Sequence, residues 1–409
     1  MTEKTQEMKP LTILHTSDWH LGQKFMGKSR EDEHRAFLDW LIETINKEKV
    51  DALIVAGDIF DTGTPPNYAL ELYYNFLTQL RQTSCQTAII TAGNHDSIAT
   101  MSAPKKVLGA LNVHVVSSGE EDMRERVIKL HDTNGSLSGV VCAVPFLRDS
   151  VVRKGVAGES HREQEAALVS GVETYYREIA DAAQTVAGYE LSIPLIATGH
   201  FTTVGGQTSD SEREIYIGST MNIPSGFLAE CFDYVALGHL HRSQRVGESE
   251  HVRYSGSPIP LSFSESGNQK KVTVIVFDED VPLIEEIDIP TFRHLYRIKG
   301  DKEAILDELA HIEDKNGWIE VEIIDDDTYT ALQEIQTYAD ENNLTILAKK
   351  VGRTASSVGI EDLEVVDLDA ITPLEMFQKR LELEEITDET LQQKVLTAFK
   401  EIENKVVTA

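Results

Sequence analysis

Residues 52–58 of the chain read ALIVAGD, an apolar run that ends in a glycine and an aspartate. An apolar run of this length with β-branched residues is typical of a buried strand. The glycine permits a tight turn where the strand ends, and the carboxylate of Asp58 can bind a metal ion. The stretch therefore predicts a strand that places a reactive side chain at its carboxyl end.

Four other stretches follow the same plan, and they read LTILHTSDWH (11–20), AIITAGNHD (88–96), LIATGH (195–200) and YVALGHLH (234–241). Segments with helical periodicity lie between some of them, such as 32–49 and 68–80. Short buried strands that alternate with helices predict an α/β domain with parallel strands. Because the carboxyl ends of such strands face one edge of a sheet, their side chains can meet in one site.

The side chains at these strand ends are metal-ligand types, and they are Asp18, His20, Asp58, Asn94, His200, His239 and His241. Residues i and i+2 of an extended chain point to the same side, so each Asp-x-His or His-x-His pair presents two ligands together. Oxygen and imidazole ligands without a thiolate favour Mn²⁺, Fe²⁺ or Zn²⁺. This set is too large for one ion, which predicts two divalent ions that share a bridging carboxylate and activate water.

Any one of these motifs would carry little weight, because a lone histidine or Gly-Asp pair more often belongs to a core or a surface. The ordered set, each member following a predicted strand, is what favours a metal centre. We assign no role to the isolated histidines, which are His34, His114, His131, His161, His251, His294 and His311.

The composition is that of a globular protein, with 41% hydrophobic and 26% charged residues. The longest apolar stretch, residues 140–147, is far shorter than the ~20 residues that cross a bilayer. Residues 1–10 lack the apolar core of a signal peptide, so we expect a cytoplasmic protein. The cysteines are too few for a disulfide scaffold and are expected to be buried thiols.

The formal net charge is −30, and residues 301–409 hold 27 acidic against 10 basic residues. Such a charge repels nucleic acid and anionic membranes unless something reverses the field locally, and two divalent ions at the predicted centre would do so. Basic residues near the motifs could contact phosphates, and they are Lys24, Lys28, Arg30, Lys105, Lys106, Arg242 and Arg245.

The pattern changes near residue 289, and we expect four regions: the α/β domain (1–285), a small α+β unit (286–352), an acidic linker (353–370) and C-terminal amphipathic helices (371–409). The small unit is predicted to run strand, helix, strand, helix, strand. Residues 319–323 read IEVEI, which predicts a strand with its acidic face exposed. For an arbitrary helix, an apolar stripe like those after residue 371 more often packs on its own domain than on a partner.

The five motifs, in this order, resemble those of the calcineurin-like metallophosphoesterase family, whose pattern is Asp-x-His, Gly-Asp, Gly-Asn-His-(Asp/Glu), Gly-His and Gly-His-x-His. The resemblance implies a four-layer αββα sandwich with a dinuclear metal centre in which Asp58 bridges the ions. It implies that one ion is completed by Asp18, His20 and His241, and the other by Asn94, His200 and His239. His95 would bind no metal but would assist the leaving oxygen, with Asp96 orienting it.

Further stretches are similar to the bacterial SbcD nuclease branch of that family, and they read GDIFDTGTPP (57–66), GNHDS (93–97), YSGSP (254–258) and LSFSE (261–265). The resemblance covers essentially the whole chain. Asp61 stands where archaeal and eukaryotic relatives tend to carry histidine, which favours the bacterial branch and leaves the role of Asp61 open.

The resemblance implies a Mn²⁺-dependent DNA nuclease for repair, replication and recombination, acting as a 3′→5′ exonuclease on duplex ends and as an endonuclease on single strands and hairpins. It implies that residues 286–352 cap the site on DNA, that the C-terminal helices bind an SbcC-type coiled-coil ATPase, and that the chain is a homodimer. The sequence contains no Walker motif, so ATP hydrolysis would belong to the partner.

Two other functions stay open at this point. One is a metallophosphodiesterase for small nucleotides, which would need neither the C-terminal helices nor a site open to duplex DNA. The other is a scaffold without catalysis, and the complete ligand set argues against it.

Overall fold

The structure is a computed structural model of the chain, and it describes residues 10–120, 122–153, 161–188, 193–209, 211–212, 223–278, 281–325 and 328–352. The expected acidic linker and C-terminal helices lie outside the described residues. Among the residues described, no helix has both the length and the apolar character that a bilayer crossing requires.

The strands, numbered along the chain, are β1 (Leu11–Thr16), β2 (Lys24–Phe25), β3 (Lys28–Ser29), β4 (Ala52–Ala56), β5 (Thr87–Thr91), β6 (Val113–Val116), β7 (Val127–His131), β8 (Leu137–Cys142), β9 (Leu195–His200), β10 (Tyr234–Gly238), β11 (Gln244–Val246), β12 (Ser249–Tyr254), β13 (Lys271–Phe277), β14 (Leu283–Asp288), β15 (Leu295–Gly300), β16 (Trp318–Ile323) and β17 (Thr345–Val351). The helices are α1 (Glu31–Lys47), α2 (Asn67–Leu80), α3 (Ile98–Ser102), α4 (Lys105–Gly109), α5 (Met123–Arg126), α6 (Asp149–Val152), α7 (His161–Ala187), α8 (Gly226–Cys231), α9 (Lys302–Ala310) and α10 (Thr328–Glu341).

Two mixed sheets form most of the larger region. The first sheet has the order β14-β13-β1-β4-β5-β6, and the second has the order β11-β12-β10-β9-β8-β7. Strands β1, β4, β5 and β6 run parallel in the first sheet, and β8, β9, β10 and β12 run parallel in the second. The prediction of an α/β domain with parallel strands is confirmed, and the carboxyl ends of the parallel strands in each sheet face one edge of that sheet.

Both faces of the central strands are buried, because almost every position in them is apolar. In β4, Ala52 and Ile54 pack between the two sheets, whereas Leu53 and Val55 pack toward the outer helices. Helices α1 and α2 cover the outer face of the first sheet, and α7 and α8 cover that of the second. The layers are therefore helix, sheet, sheet and helix, which is the αββα sandwich expected from the sequence.

A separate parallel sheet of order β15-β16-β17 packs against α9 and α10 through a core that includes Val321 and Ile335. The prediction that the acidic face of β16 is exposed is wrong for Glu320, which is only 2% exposed. Its carboxylate lies 3.0 Å from the Nε of Arg297 and 2.8 Å from the Nζ of Lys350. Arg297 of β15 and Lys350 of β17 thus cover the carboxylate of Glu320, which the alternating pattern predicted to be exposed to solvent.

The expected domain boundary after residue 285 falls inside β14. This strand pairs with β13 as far as Asp288, and Ile289 lies in the core between the first sheet and its helices. The larger region therefore extends to Ile289.

An aromatic and cationic contact joins the small sheet to the larger region. The ring of Trp318 stacks on Phe25 at a centroid distance of 5.3 Å, and the guanidinium of Arg293 lies 4.5 Å from the Trp318 ring. Glu33 accepts hydrogen bonds from both Arg30 and Arg293, each at 3.1 Å. Arg30 is only 1% exposed, so the expectation that it contacts phosphates is wrong.

Candidate metal centre

The five motifs come together beyond the carboxyl ends of the strands. The side chains follow β1, β4, β5, β9 and β10 in chain order, and they are Asp18, His20, Asp58, Asn94, His200, His239 and His241. Within each of two groups, the possible ligand atoms lie within 4.8 Å of one another, and the groups are Asp18, His20 and His241, and Asp58, His200 and His239. All six of these side chains are buried.

Asp58 lies between histidines from both sheets. Its Oδ2 is 3.6 Å from the Nε2 of His20 and 3.3 Å from the Nε2 of His200. Asn94 completes this side of the site, because its Oδ1 is 3.0 Å from the same Nε2 of His200. One carboxylate can therefore serve both groups, as a ligand shared by two cations must.

The hydrogen bonds of His200 show which of its nitrogens faces the site. Its Nδ1 donates to the backbone carbonyl of Ala56 at 3.0 Å, since a carbonyl can only accept. Its Nε2 faces Asn94 and Asp58, whose oxygens are also acceptors. The point where these three atoms converge therefore favours positive charge, whether a proton or a metal ion.

His20 supplies a second test of whether the residues fit a metal. It is 2% exposed, and neither of its ring nitrogens has a hydrogen bond. Buried polar atoms are rarely left without a partner, because losing water without replacement costs about 1–3 kcal/mol. The nearest carboxylate oxygens lie at 3.4 Å (Asp61) and 3.6 Å (Asp58), which leaves room for a cation rather than a direct bond. The donor set fits divalent metal ions.

The buried charges of the site shift one another's pKa values. Burial alone would raise the pKa of Asp58, but His200 and His20 hold it well below its usual range. Burial alone would lower the pKa of His200, but the charge of Asp58 raises it to about 9. Burial raises the pKa of Asp18. At neutral pH the carboxylates thus keep a proton on His200, and a metal ion would have to displace it.

The backbone is strained at four of the candidate ligands. Asp18, His20, Asp58 and His239 have φ angles of +53°, +45°, +50° and +96°. Side-chain-bearing residues rarely adopt positive φ, and such conformations persist where the surrounding structure holds them, often at functional sites. The surrounding structure therefore holds these strand ends in an unfavourable backbone conformation that orients the four side chains.

Two glycines, Gly57 and Gly238, allow close approach between the strand ends. Gly57 has a φ of +90°, and a methyl group on it would collide with the Nδ1 of His200. A methyl group on Gly238 would collide with the carbonyl of Ala56, the same carbonyl that holds His200. These glycines let the two sheets share one hydrogen bond at the centre of the site.

His95 is fixed through both its backbone and its ring. Its N–H donates to Asp58 Oδ1 at 2.8 Å, and its Nδ1 donates to the carbonyl of Asp61 at 2.8 Å. The neutral ring therefore carries its proton on Nδ1 and its lone pair on Nε2. The expectation that Asp96 orients His95 is wrong, because the Asp96 carboxylate instead accepts from the backbone N–H groups of Gly93, Ile59 and Phe60.

Residues outside the five motifs surround His241, and no role was predicted for them from the sequence. The Nδ1 of His241 lies 2.6 Å from the hydroxyl of Ser211, and the backbone N–H of His241 donates to the carboxylate of Glu212 at 2.8 Å. The Ser211 hydroxyl in turn meets the buried carboxylate of Glu265, which pairs with Lys270 at 2.5 Å. These are single polar residues in irregular segments, where periodicity gives no signal.

The remaining basic residues near the motifs lie mostly at the surface. Lys24, Lys28, Lys106, Arg242 and Arg245 are exposed. Lys105 is half-buried, 3.4 Å from Glu125. Exposed cations beside the site can approach phosphates, in contrast to the buried Arg30.

Sequence comparisons agree with this geometry. The profile of the calcineurin-like phosphoesterases matches residues 11–243, and that of the type 5 capsule protein repressor C-terminal domain matches residues 291–385. The chain is 39% identical over 396 residues to the SbcD subunit of nuclease SbcCD from Escherichia coli K12, covering 95% of this chain and 97% of that protein. The Bacillus subtilis protein of the same name is 30% identical over 317 residues, covering 76% and 79%.

The Rhodobacter capsulatus protein of that name is 39% identical over 272 residues, covering 65% of this chain and 66% of that protein. The first profile includes every motif of the metal centre, and the second includes the small sheet. The chain therefore belongs to the calcineurin-like phosphoesterases and, within them, to the family of SbcD subunits of the SbcCD nucleases.

Proposed function

We propose that the chain is the DNA nuclease subunit of an SbcCD-type, ATP-dependent complex that acts in DNA repair, replication and recombination. It cleaves phosphodiester bonds with Mn²⁺, as a 3′→5′ exonuclease on duplex ends and as an endonuclease on single strands and hairpins. The observation that carries the proposal is the position of Asp58 between His20 of one buried group and His200 of the other. The likeness to the SbcD subunits over nearly the whole chain supports the choice of substrate.

We propose that the two groups hold one divalent ion each, with Asp58 binding both. Asp18, His20 and His241 hold the first ion, and Asn94, His200 and His239 hold the second. Bound ions of this kind activate water and stabilise the charge that develops on a phosphoryl group. The protein contributes a fixed, buried arrangement of imidazoles and carboxylates, so that no rearrangement is needed when substrate arrives.

His95 acts on the substrate rather than on the metal. Because its Nδ1 proton is committed to the carbonyl of Asp61, Nε2 is the ring nitrogen that we place toward the phosphoryl group or the leaving oxygen. Its backbone N–H also holds Asp58, which fixes the imidazole relative to the ligands. His95 is thus the catalytic residue that we place beside the metal ligands.

The cleavage experiment uses an end-labelled linear duplex incubated with Mn²⁺, alone and with the coiled-coil ATPase and ATP. We expect metal-dependent shortening of the duplex that the partner and ATP stimulate and that a chelator stops. A small phosphodiester such as bis(p-nitrophenyl) phosphate is measured in parallel. Turnover of the small diester with no attack on DNA under any condition would keep the metal centre and reject the DNA substrate.

We further propose that residues 1–289 form the nuclease domain, 290–352 the domain that caps the site on DNA, 353–370 a linker and 371–409 the helices that bind an SbcC-type ATPase. Replacing Leu391, Val395 and Phe399 together by Glu should abolish co-purification of the ATPase. The double substitution Gln393→Glu and Thr397→Glu adds charge beside that stripe and should leave co-purification intact. Equal capture by both variants would reject the assignment.

The chain is also proposed to form a homodimer in solution. Light scattering of the purified full chain should give twice the 45.6 kDa mass of one chain. A mass equal to that of one chain across the micromolar range would contradict this part of the proposal.

A further inference from the structure

A chain of polar contacts leads from His241 to the buried carboxylate of Glu265. The Nδ1 of His241 lies 2.6 Å from the hydroxyl oxygen of Ser211, and that hydroxyl contacts Oε1 of Glu265. Direct contact between the imidazole and a carboxylate is too long for a hydrogen bond, at 3.7 Å to Glu265 and 3.9 Å to Glu212. Ser211 is therefore the link through which Glu265 reaches His241.

The other oxygen of Glu265 accepts from three donors. Its Oε2 accepts from the ammonium of Lys270 at 2.5 Å, from the N–H of Leu261 at 3.2 Å and from the hydroxyl of Ser257 at 3.4 Å. Lys270 also donates to the carbonyl of His241 at 3.0 Å and to Ser257 at 2.9 Å. Glu265 is 1% exposed and Lys270 is 7% exposed, so this ion pair is buried and its orientation is fixed.

A buried ion pair adds little net stability, because the loss of water roughly cancels the attraction between the charges. Its value here lies in the direction of the hydrogen bonds. An ionised carboxylate can only accept, so the Ser211 hydroxyl donates its proton to Oε1 of Glu265. The oxygen of Ser211 then accepts from His241, whose Nδ1 must carry the ring proton. The lone pair of the imidazole is left on Nε2.

We propose that Glu265 is a positioning residue that, through Ser211, holds His241 as the Nδ1–H tautomer, so that its Nε2 can bind a metal ion. This inference rests on the proposed metal centre and adds to it a set of residues that the five motifs do not include. It assigns to His241 the same proton arrangement that the Ala56 carbonyl gives to His200 by a direct bond.

The substitution Glu265→Gln tests the direction of these bonds. Lys270 and Leu261 both donate to Oε2, so the amide oxygen of the glutamine must take that place and its NH₂ group must face Ser211. The oxygen of Ser211 then accepts from the amide, and its hydroxyl turns to Nδ1 of His241 at 2.6 Å, which is nearer than the other possible acceptor, the hydroxyl oxygen of Ser209 at 2.7 Å. The variant should therefore reverse the tautomer and place the ring proton on Nε2.

The first measurement is long-range ¹⁵N–¹H NMR of the metal-free full chain with labelled histidine, in which the two tautomers have distinct nitrogen shifts. The His241 signals are assigned by their loss in His241→Gln. We expect the Nδ1–H form in the unmodified chain and the Nε2–H form in Glu265→Gln. Ser262→Ala is the matched control, because Ser262 lies 3.4 Å from Oε1 of Glu265 but has no bond to His241.

The second measurement is the binding of Mn²⁺ by calorimetry and by its electron paramagnetic resonance. Removing an outer partner of a ligand histidine weakens metal binding by about 10- to 100-fold. We expect this loss for one of two ions in Glu265→Gln and in Ser211→Ala, with the other ion retained and Ser262→Ala unchanged. Ser211→Ala leaves the buried ion pair whole, so it tests the inference even where Glu265→Gln fails to fold.

The outcomes separate this inference from the proposed function. A chain that binds no pair of Mn²⁺ ions would overturn the metal centre and, with it, the role of Glu265. The other negative outcome has three parts: the chain binds two ions, both variants bind them with unchanged affinity, and Glu265→Gln keeps the His241 tautomer. That outcome would leave the metal centre standing and reject only the role of Glu265.

Discussion

The two sheets contribute to the site in different ways. The first sheet brings Asp18, Asp58 and Asn94 together with one histidine, His20, whereas the second brings only histidines. A carboxylate offers oxygens that are ready to bind a cation at neutral pH. An imidazole offers a lone pair on one nitrogen only, and which nitrogen depends on the partner of the other.

The second sheet therefore needs supporting contacts that the first does not. His200 relies on a backbone carbonyl, that of Ala56 in the first sheet, and His241 relies on Ser211. The anionic half of the site has one supporting neighbour next to a motif, Ser17, whose hydroxyl donates to Asp18, whereas the histidine half depends on neighbours that are distant in the chain. Four variants test this contrast.

Replacing Asp58 by Ala should have the largest effect, because this residue joins the two halves. We expect cleavage to fall below about one ten-thousandth of the unmodified rate, about 5.5 kcal/mol in the activation barrier, with both ions lost. Metal content after gel filtration and the rate of duplex shortening measure this. Substantial cleavage, or retention of two ions, would show that the halves do not share Asp58.

Replacing His95 by Asn should separate chemistry from metal binding. We expect cleavage to fall by about 10²- to 10⁴-fold, the usual contribution of a proton-transferring group, with metal content unchanged. The test is single-turnover cleavage at saturating Mn²⁺, with metal counted on the same sample. Loss of metal in this variant would contradict the separate role given to His95.

Replacing Gly57 by Ala should displace His200, a residue of the second sheet, by a change in the backbone of the first sheet. The added methyl group meets the Nδ1 of His200, and φ at this position is +90°. Gly135→Ala is the matched control, because its φ is +83° but nothing lies within 4 Å of the added carbon. We expect backbone strain of about 1–3 kcal/mol in both, measured by denaturant unfolding, with a larger loss of stability and weaker Mn²⁺ binding only in Gly57→Ala, where the methyl group collides with His200. Equal metal affinity in both would mean that the contact with His200 is not required.

A histidine without a ligand role gives the smallest effect and a useful contrast. His15 is buried between the sheets, its Nδ1 is 3.0 Å from the hydroxyl of Tyr234, and burial lowers its pKa to about 3. The unfolded chain binds this proton near pH 6.5, so stability falls as pH drops from about 6.5 toward 3. The slope due to this group is about 1.4 kcal/mol per pH unit.

In the metal-free protein, His15→Gln should flatten the fall in unfolding free energy between pH 6 and pH 5 by about this amount. Urea unfolding in a chelating buffer measures it without interference from metal release. An unchanged slope would show that His15 is protonated inside the fold. That result would remove the distinction between a core histidine, kept neutral by burial, and the site histidine His200, kept charged by Asp58.

Much of the fold could be predicted because burial leaves a strong pattern. The strand expected within residues 52–58 is β4 (Ala52–Ala56), and the helix expected at 68–80 is α2 (Asn67–Leu80). No element was predicted between residues 148 and 194, although the structure places the long helix α7 there. Its buried stripe includes Val172, Tyr176 and Ile179 at helical spacing, so the signal of helical periodicity was present in the sequence.

The site divides in the same way. The candidate ligands could be found because each follows a recognisable strand, whereas Ser211 and Glu265 meet His241 only through the fold, 54 residues apart from each other in the chain. The exposure of Glu320 was predicted wrongly because alternation reports which face a residue takes, not whether cations cover that face. The assignment of each ligand to an ion stays a prediction.

The stacked contact between Trp318 and Phe25 also acts as a mechanical brace. Phe25 and Arg30 follow His20 in one continuous segment. Glu33 accepts hydrogen bonds from Arg30 of that segment and from Arg293, which precedes the small sheet. Any rotation of the small sheet must first unstack the rings and pull Arg293 from Glu33. Torque applied to that sheet would therefore reach the backbone within a few residues of the candidate ligand His20.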